Sequence, residues 1–230
     1  MRLLVTIAIA LVAGVAGAAA WDFAGFAPDR TRAYLMANPE VLPEAMAELQ
    51  RRDMAARVAP IRAELEQPFP GAVLGNPEGS VTLVEFSDYA CGYCRLSVGH
   101  VNALIAQNPD LRVVIREYPI LSEGSANAAR MALAAAQQGK FEAFHNAMFE
   151  QDQPSPEGIR AAAEAAGVDL AQANAAIASG ALDTQLQNNV FLGQTLQLSG
   201  TPAFIVGDTV LNGAVGTEQL SEAIAEARDS

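Results

Sequence analysis

The chain has 230 residues, half of them hydrophobic (51%), with 14 basic against 26 acidic side chains and a net charge of −12 at pH 7. That balance, with no block of Lys and Arg, excludes nucleic acid and an anionic membrane surface as the main partner. The length allows one substantial domain plus an appendage, and the only two cysteines, Cys91 and Cys94, sit in one short motif rather than a disulfide framework.

Met1-Arg2, an uncharged apolar run from Leu3 to Val15 and then Gly17-Ala18-Ala19-Ala20 predict a secretory signal peptide over residues 1–20, cleaved between Ala18 and Trp21. The run is too short to span a bilayer comfortably and no later stretch replaces it, so no membrane span is expected after cleavage. An uncleaved N-terminal anchor is the alternative. Export places the cysteines where disulfides persist, and the small-residue cleavage region points to a bacterial periplasm.

Residues 21–67 read as a separate helical segment. Asn38-Pro39-Glu40 predicts a helix start with Asn38 as N-cap and Pro39 in the first helical position. Leu42, Met46 and Leu49 then form one apolar stripe, and Val58, Ile61 and Leu65 continue the spacing. Pro60 should divide this helix, because its ring opposes the carbonyl four residues back. A short amphipathic helix cannot bury its stripe alone. It docks on the main domain or on a second copy of the chain, making a homo-oligomer through residues 21–67.

Residues 68–230 form the main domain. Pro68-Phe69-Pro70-Gly71 and Asn76-Pro77-Glu78-Gly79 are turns leading into it. A strand over Val81–Phe86, a helix from Cys91 toward Gln107 and a strand at Val113-Val114-Ile115 follow. Residues 122–198 are alanine-rich and helical in pattern, with breaks at Gly139, Gln153-Pro154-Ser155-Pro156, Gly167 and Gly180. Ala203–Val206 and Thr209–Leu211 predict a hairpin turning at Gly207-Asp208, and a last helix begins with Thr217 as N-cap. The predicted order is βαβ, a helical block, ββ, then α.

Cys91-Gly92-Tyr93-Cys94 therefore stands at a strand-to-helix turn. A Cys-x-x-Cys pair there can close its own disulfide and give it away. Cys91 is the expected nucleophile, since unpaired backbone N–H groups and the helix dipole favour its thiolate. Cys94 lies one turn later on the same side. As a purely structural bridge the pair would stabilise little. Zinc usually needs four ligands, and His100 and His145 are the only other soft donors, so no metal site is expected. His100 reads as a surface residue and His145, among Phe141, Phe144 and Phe149, as a packed one. Met46 and Met54 read as helix packing rather than a copper site. Arg95 either adds positive potential near Cys94 or is solvated.

Val84-Glu85-Phe86-Ser87-Asp88-Tyr89-Ala90-Cys91-Gly92-Tyr93-Cys94 resembles the active-site segment of DsbA-like proteins, thioredoxin-fold disulfide oxidoreductases of bacterial periplasms. Arg116-Glu117-Tyr118-Pro119-Ile120-Leu121 resembles that family's segment after the second thioredoxin strand, and Gly200-Thr201-Pro202-Ala203-Phe204 its cis-proline loop. The three landmarks come in the family order across residues 71–228. The N-terminal segment, through Asn38-Pro39-Glu40-Val41, is similar to that of the ScsC-like branch, where it can drive oligomerisation.

The resemblance implies an α/β thioredoxin fold with a helical insertion over about 122–198, preceded by a short helical segment. It implies that Pro202 follows a cis bond, with Thr201 presenting its backbone to a substrate chain beside Cys91. It places Glu85 beneath the active site, where a carboxylate helps move the Cys94 proton and burial raises its pKa. Gly92 and Tyr93 tune the redox balance. Tyr93 carries no positive charge at neutral pH, so the pair should be less oxidising than one with His there. Gly-Tyr and Thr201 both look isomerase-like.

The expected activity is disulfide exchange with exported cysteine-containing proteins, leaning to isomerase or reductase, with an unidentified redox partner. No cofactor is expected beyond the redox-active disulfide of Cys91 and Cys94. The alternatives are a dithiol oxidase and a copper-binding module using the reduced thiols.

Overall fold

The computed structural model describes residues 2–23 and 30–228. Met1, residues 24–29 and residues 229–230 lie outside the described residues, and with them part of the expected leader and of the 21–67 segment. Contacts divide the chain into residues 1–50 and residues 51–230.

The first unit holds α1 (Arg2–Phe23), α2 (Arg30–Ala37) and the first part of α3 (Val41–Val58). Among the described residues no helix is long and apolar enough to cross a membrane. Asn38 does not cap α3 as expected. Its backbone N–H and its Nδ2 both donate to the Tyr34 carbonyl, at 2.8 and 2.9 Å, so it closes α2. The proline in the first turn of α3 is then Pro43, where no N–H is needed within the helix. Leu42, Met46 and Leu49 are all exposed.

The second unit is built on a five-stranded sheet in the order β1-β3-β2-β4-β5. Its strands are β1 (Val73–Gly75), β2 (Val81–Ser87), β3 (Leu111–Glu117), β4 (Ala203–Val206) and β5 (Thr209–Asn212). Only β2 and β3 are parallel, joined by the crossover helix α5 (Gly92–Gln107). Strand β1 was not among the predicted elements. Three residues between turns carry no periodicity, and pairing of Val73 with Val114 on β3 makes them a strand.

The insertion consists of α6 (Glu123–Gln137), α7 (Phe141–Glu150), α8 (Pro156–Ala165), α9 (Leu170–Ala178) and α10 (Ala181–Thr195). Ser122, Ser155 and Asp169 cap three of these helices by accepting from backbone N–H groups of the first turn. The terminal helix α11 (Thr217–Arg228) starts from the Gly216 carbonyl, which accepts from Leu220 N. Gly216 is thus the cap position, and the predicted cap Thr217 is the first helical residue.

Pro60 divides its helix as expected. A 3-10 turn, Ala59–Ile61, separates α3 from α4 (Arg62–Glu66). Val58 and Leu65 are fully buried with Phe86, Val114, Tyr118 and Leu192. Residues 51–67 therefore group with the second unit, so the division falls inside α3 and not at the expected residue 67.

Alternation along β2 and β3 gives the sheet two faces. Leu83, Val113 and Ile115 pack with Cys94, Val101, Phe144 and Leu220 on one face. Val84, Phe86 and Val114 pack with Val58, Leu65 and Leu192 on the other. Each face also buries charged side chains, and these position the site.

Candidate active site

β2 delivers the chain to a tight turn at the carboxyl end of the parallel pair. Asp88 holds that turn together. Its carbonyl accepts from Cys91 N at 3.0 Å, and its Oδ1 accepts from Ala90 N at 2.8 Å. Its Oδ2 accepts from the N–H groups of Ile120 and Leu121 at 2.9 and 3.0 Å, tying the turn to the segment after β3. Cys91 follows in extended backbone (φ −85°, ψ 115°) as the N-cap of α5, so its sulfur stands at the helix start.

Both cysteines are free thiols. Cys91 retains 8% exposure, whereas Cys94 is fully buried one turn further on. The Thr201–Pro202 peptide bond is cis. The Cys91 thiol donates to the Thr201 carbonyl at 3.2 Å, so the first turn of α5 and the start of β4 meet at the reactive sulfur. A Cβ on Gly92 would meet nothing within 4 Å, so packing does not demand glycine there. Tyr93 is 65% exposed beside Cys91, and Leu96 lies exposed a turn later. Arg95 is engaged elsewhere, donating to the Asp152 carbonyl at 2.9 Å.

Glu85 lies on the Cys94 face of the sheet at 3% exposure. Burial pushes its carboxyl up from 4.5 to about 8, so it holds a proton at neutral pH. Burial also raises the Cys94 thiol above the usual range, and the neighbouring Glu85 adds to the effect. The two thiols therefore differ in kind: one reaches solvent at a helix start, and the other sits dry above a carboxyl group.

Sequence reasoning gave no role to three further buried polar residues. The Tyr89 hydroxyl is hydrogen-bonded to Glu117 Oε1 at 2.9 Å and stands 3.1 Å from His145 Nδ1. Burial raises the Glu117 carboxyl well above its ordinary range and lowers His145 to about 4. Glu117 and Tyr89 lay within the quoted landmarks, but the contacts span 28 and 56 positions and no local spacing encodes them. Asp88 is a further site residue, and its position two residues before Ala90 N is the spacing of an Asx turn. His145 is packed as expected. His100 is half-buried, with its Nδ1 shielded from solvent, rather than a free surface residue.

Among the described residues no group of three or more His, Cys, Asp and Glu side chains is arranged to hold a metal ion. The chemistry within reach is attack of the less buried thiol on a disulfide, followed by resolution from the fully buried one.

Comparison with known proteins agrees with this geometry. Residues 82–225 match the DSBA-like thioredoxin domain family, and residues 31–56 match the copper resistance protein ScsC N-terminal domain. A thioredoxin-like oxidoreductase from Silicibacter pomeroyi DSS-3 is 43% identical with a TM-score of 0.66, covering 69% of this chain and 92% of that one. The thiol–disulfide exchange protein alpha-DsbA2 from Wolbachia pipientis is 26% identical with a TM-score of 0.71, covering 77% and 97%. Proteus mirabilis ScsC in a transitional conformation is 28% identical with a TM-score of 0.68, covering 86% and 93%. The chain spans about a quarter of the length of the curated relatives it matches, which are Na+/H+ antiporter NhaA proteins. NhaA 3 of Salinispora tropica, for instance, is 30% identical over 158 residues, covering 67% of this chain and 24% of the relative. The chain belongs to the DSBA-like thioredoxin domain family.

Proposed function

We propose that this protein exchanges disulfides with exported cysteine-containing proteins through Cys91 and Cys94, in the periplasm, and that it works as an isomerase or reductase rather than a strong oxidant. The observation that carries the reading is the asymmetry of the thiols. Cys91 keeps 8% exposure at the start of α5 and donates to the Thr201 carbonyl, while Cys94 is fully buried above Glu85.

In the isomerase direction the Cys91 thiolate attacks a substrate disulfide. A bond forms between Cys91 and one substrate sulfur, and the other leaves as a thiolate. The mixed disulfide ends when the correct substrate thiol returns, or when Cys94 attacks Cys91 and releases the substrate reduced. Thr201 presents its carbonyl where a substrate backbone would lie, and exposed Tyr93 offers an aromatic surface beside it. Two features support the direction: Tyr93 brings no cation to stabilise the Cys91 thiolate, and the Arg95 guanidinium is occupied by the Asp152 carbonyl. The exposed stripe of Leu42, Met46 and Leu49, within the stretch matching the ScsC N-terminal domain, supports self-association of the N-terminal segment. Leader-like residues 1–20 support export.

The test is activity on scrambled-disulfide and on fully reduced substrates, with wild type and with Leu42, Met46 and Leu49 all changed to Gln. Faster recovery of scrambled than of reduced substrate is expected, together with dissociation and loss of isomerisation in the triple variant. Preferential oxidation of reduced substrate would replace this reading with an oxidase. Tight Cu(I) binding without exchange activity would replace it with a copper module.

A further inference from the structure

We infer that Glu117, Tyr89 and His145 form a proton relay that serves the buried thiol Cys94 through Glu85. The inference deepens the dithiol-exchange reading and rests on it.

The Tyr89 hydroxyl lies between Glu117 Oε1 and His145 Nδ1, at 2.9 and 3.1 Å, and all three side chains are at most 2% exposed. With the Tyr89 proton itself placed in one of the two contacts, both are hydrogen bonds in two arrangements. In one, Tyr89 donates to an ionised Glu117 and accepts from a protonated His145 Nδ1. In the other, protonated Glu117 donates to Tyr89, which donates to the bare Nδ1 of neutral His145. The arrangements interconvert by shifting two protons along the chain with no change in total charge. Burial favours the second, because it leaves no buried ion.

The relay adjoins the active site through the strand register. Ser87 pairs with Glu117 and Glu85 with Ile115 on the parallel strands β2 and β3, so Glu85 and Glu117 occupy successive positions on one face. Set diagonally across neighbouring strands, their backbones stand about 8 Å apart, within reach of two glutamate side chains that lean toward each other. The titratable groups that act on one another here are Glu85 from β2, Asp88 from the following turn, Cys94 from α5, Tyr89 and Glu117, with His145 from α7 at the end of the chain. Arg116 belongs to the opposite face, where it bonds the Leu65 and Gln67 carbonyls, and Arg95 bonds the Asp152 carbonyl. His145 is the one nitrogen base in this set.

During resolution Cys94 must lose its proton before its sulfur attacks Cys91. Glu85 is itself protonated at neutral pH, so it needs somewhere to send its own proton. Shift of the chain to its first arrangement places a proton on His145 and leaves Glu117 ionised. Glu117 then takes the Glu85 proton, and Glu85 takes that of Cys94. The Cys94 sulfur forms its bond to Cys91 Sγ, the bond from Cys91 to the substrate sulfur breaks, and the substrate leaves as a thiolate. One proton has moved, from Cys94 to His145, and two thiol electrons have passed to the substrate disulfide.

A single-turnover reaction of the full-length reduced protein with an aromatic disulfide reads both steps, because each releases a coloured thiolate. The first burst reports Cys91 and the second Cys94. Tyr89→Phe keeps the ring and removes the hydroxyl; His145→Gln removes the base. Each is expected to slow the second burst about tenfold at pH 7 and leave the first unchanged. Above about pH 8, where Glu85 is ionised and takes the Cys94 proton directly, wild type and variants should converge. An unchanged second burst in both variants, or a slowing of equal size at every pH, would overturn the relay. Absence of any second burst in the wild type would instead overturn the dithiol-exchange reading beneath it.

Discussion

The two faces of the central sheet bury charge in opposite ways. On the face toward α4 and α10, Arg116 is 2% exposed yet fully engaged. It donates to the Glu64 carbonyl, to those of Leu65 (2.9 and 3.2 Å) and Gln67 (2.5 Å), and to Asn189 Oδ1 (3.2 Å). Those carbonyls end α4, where four acceptors lack partners inside the helix, so a cation is the natural cap. Burial lowers Arg116 only to about 10, and it stays charged. On the face toward α5 and α7, no cation among the described residues enters the causes that shift Glu85 and Glu117, and burial drives them toward the neutral form. The same strand pair thus carries a paired ion that fixes structure and acids without a counter-ion that can move protons. Burial alone does not tell these apart; the partners do.

The largest expected effect comes from breaking the satisfied side. Arg116→Met should cost about 3 kcal/mol by orphaning the α4 carbonyls and Asn189, read as a lower midpoint in urea unfolding. Exchange activity per folded molecule should be unchanged, because the face toward Cys94 is untouched.

Glu85→Gln tests the other side with the opposite sign. The folded pKa of about 8 lies above the ordinary 4.5, so the fold holds an extra proton between these values. Its stability is therefore full below about pH 4.5 and declines as pH rises toward 8. Replacing the acid by a neutral amide should raise stability at pH 8 by on the order of 2 kcal/mol and flatten this limb of the curve. The resolving step should slow at the same time. A variant less stable at pH 8 than at pH 5 relative to wild type would contradict the assignment.

The smallest effect is expected at the bridge between the faces. Asn189 accepts from Arg116 and donates to the Glu117 carbonyl at 2.9 Å. Asn189→Ala should cost about 1–2 kcal/mol, measured by denaturant unfolding, since it leaves buried groups unpaired while the Arg116 bonds to α4 remain.

What the sequence made legible follows from local physics. Buried apolar runs mark β2 and β3, turn residues mark the insertion breaks, Pro60 divides its helix, and the Cys-x-x-Cys spacing locates the thiols. The misses share a different cause. Strand β1 exists only because β3 pairs with it. Asn38 could serve either neighbouring helix, and closure of α2 won. Residues 58–67 fall within the 21–67 segment by their helical stripe of Val58, Ile61 and Leu65, but Arg116, about fifty positions away, joins them to the sheet. The carboxyl beneath Cys94 was expected from family resemblance; its companions Glu117, Tyr89 and His145 meet only in three dimensions.

The central claim is that the two thiols divide the work, with Cys91 attacking and Cys94 resolving. Trapping tests it directly. Cys94→Ser mixed with a peptide disulfide should accumulate one stable mixed disulfide per chain at Cys91, identified by mass spectrometry, while folded Cys91→Ser should form none at Cys94. Adduct formation at Cys94 in the Cys91→Ser protein at the same rate, or no adduct in the Cys94→Ser protein, would contradict it.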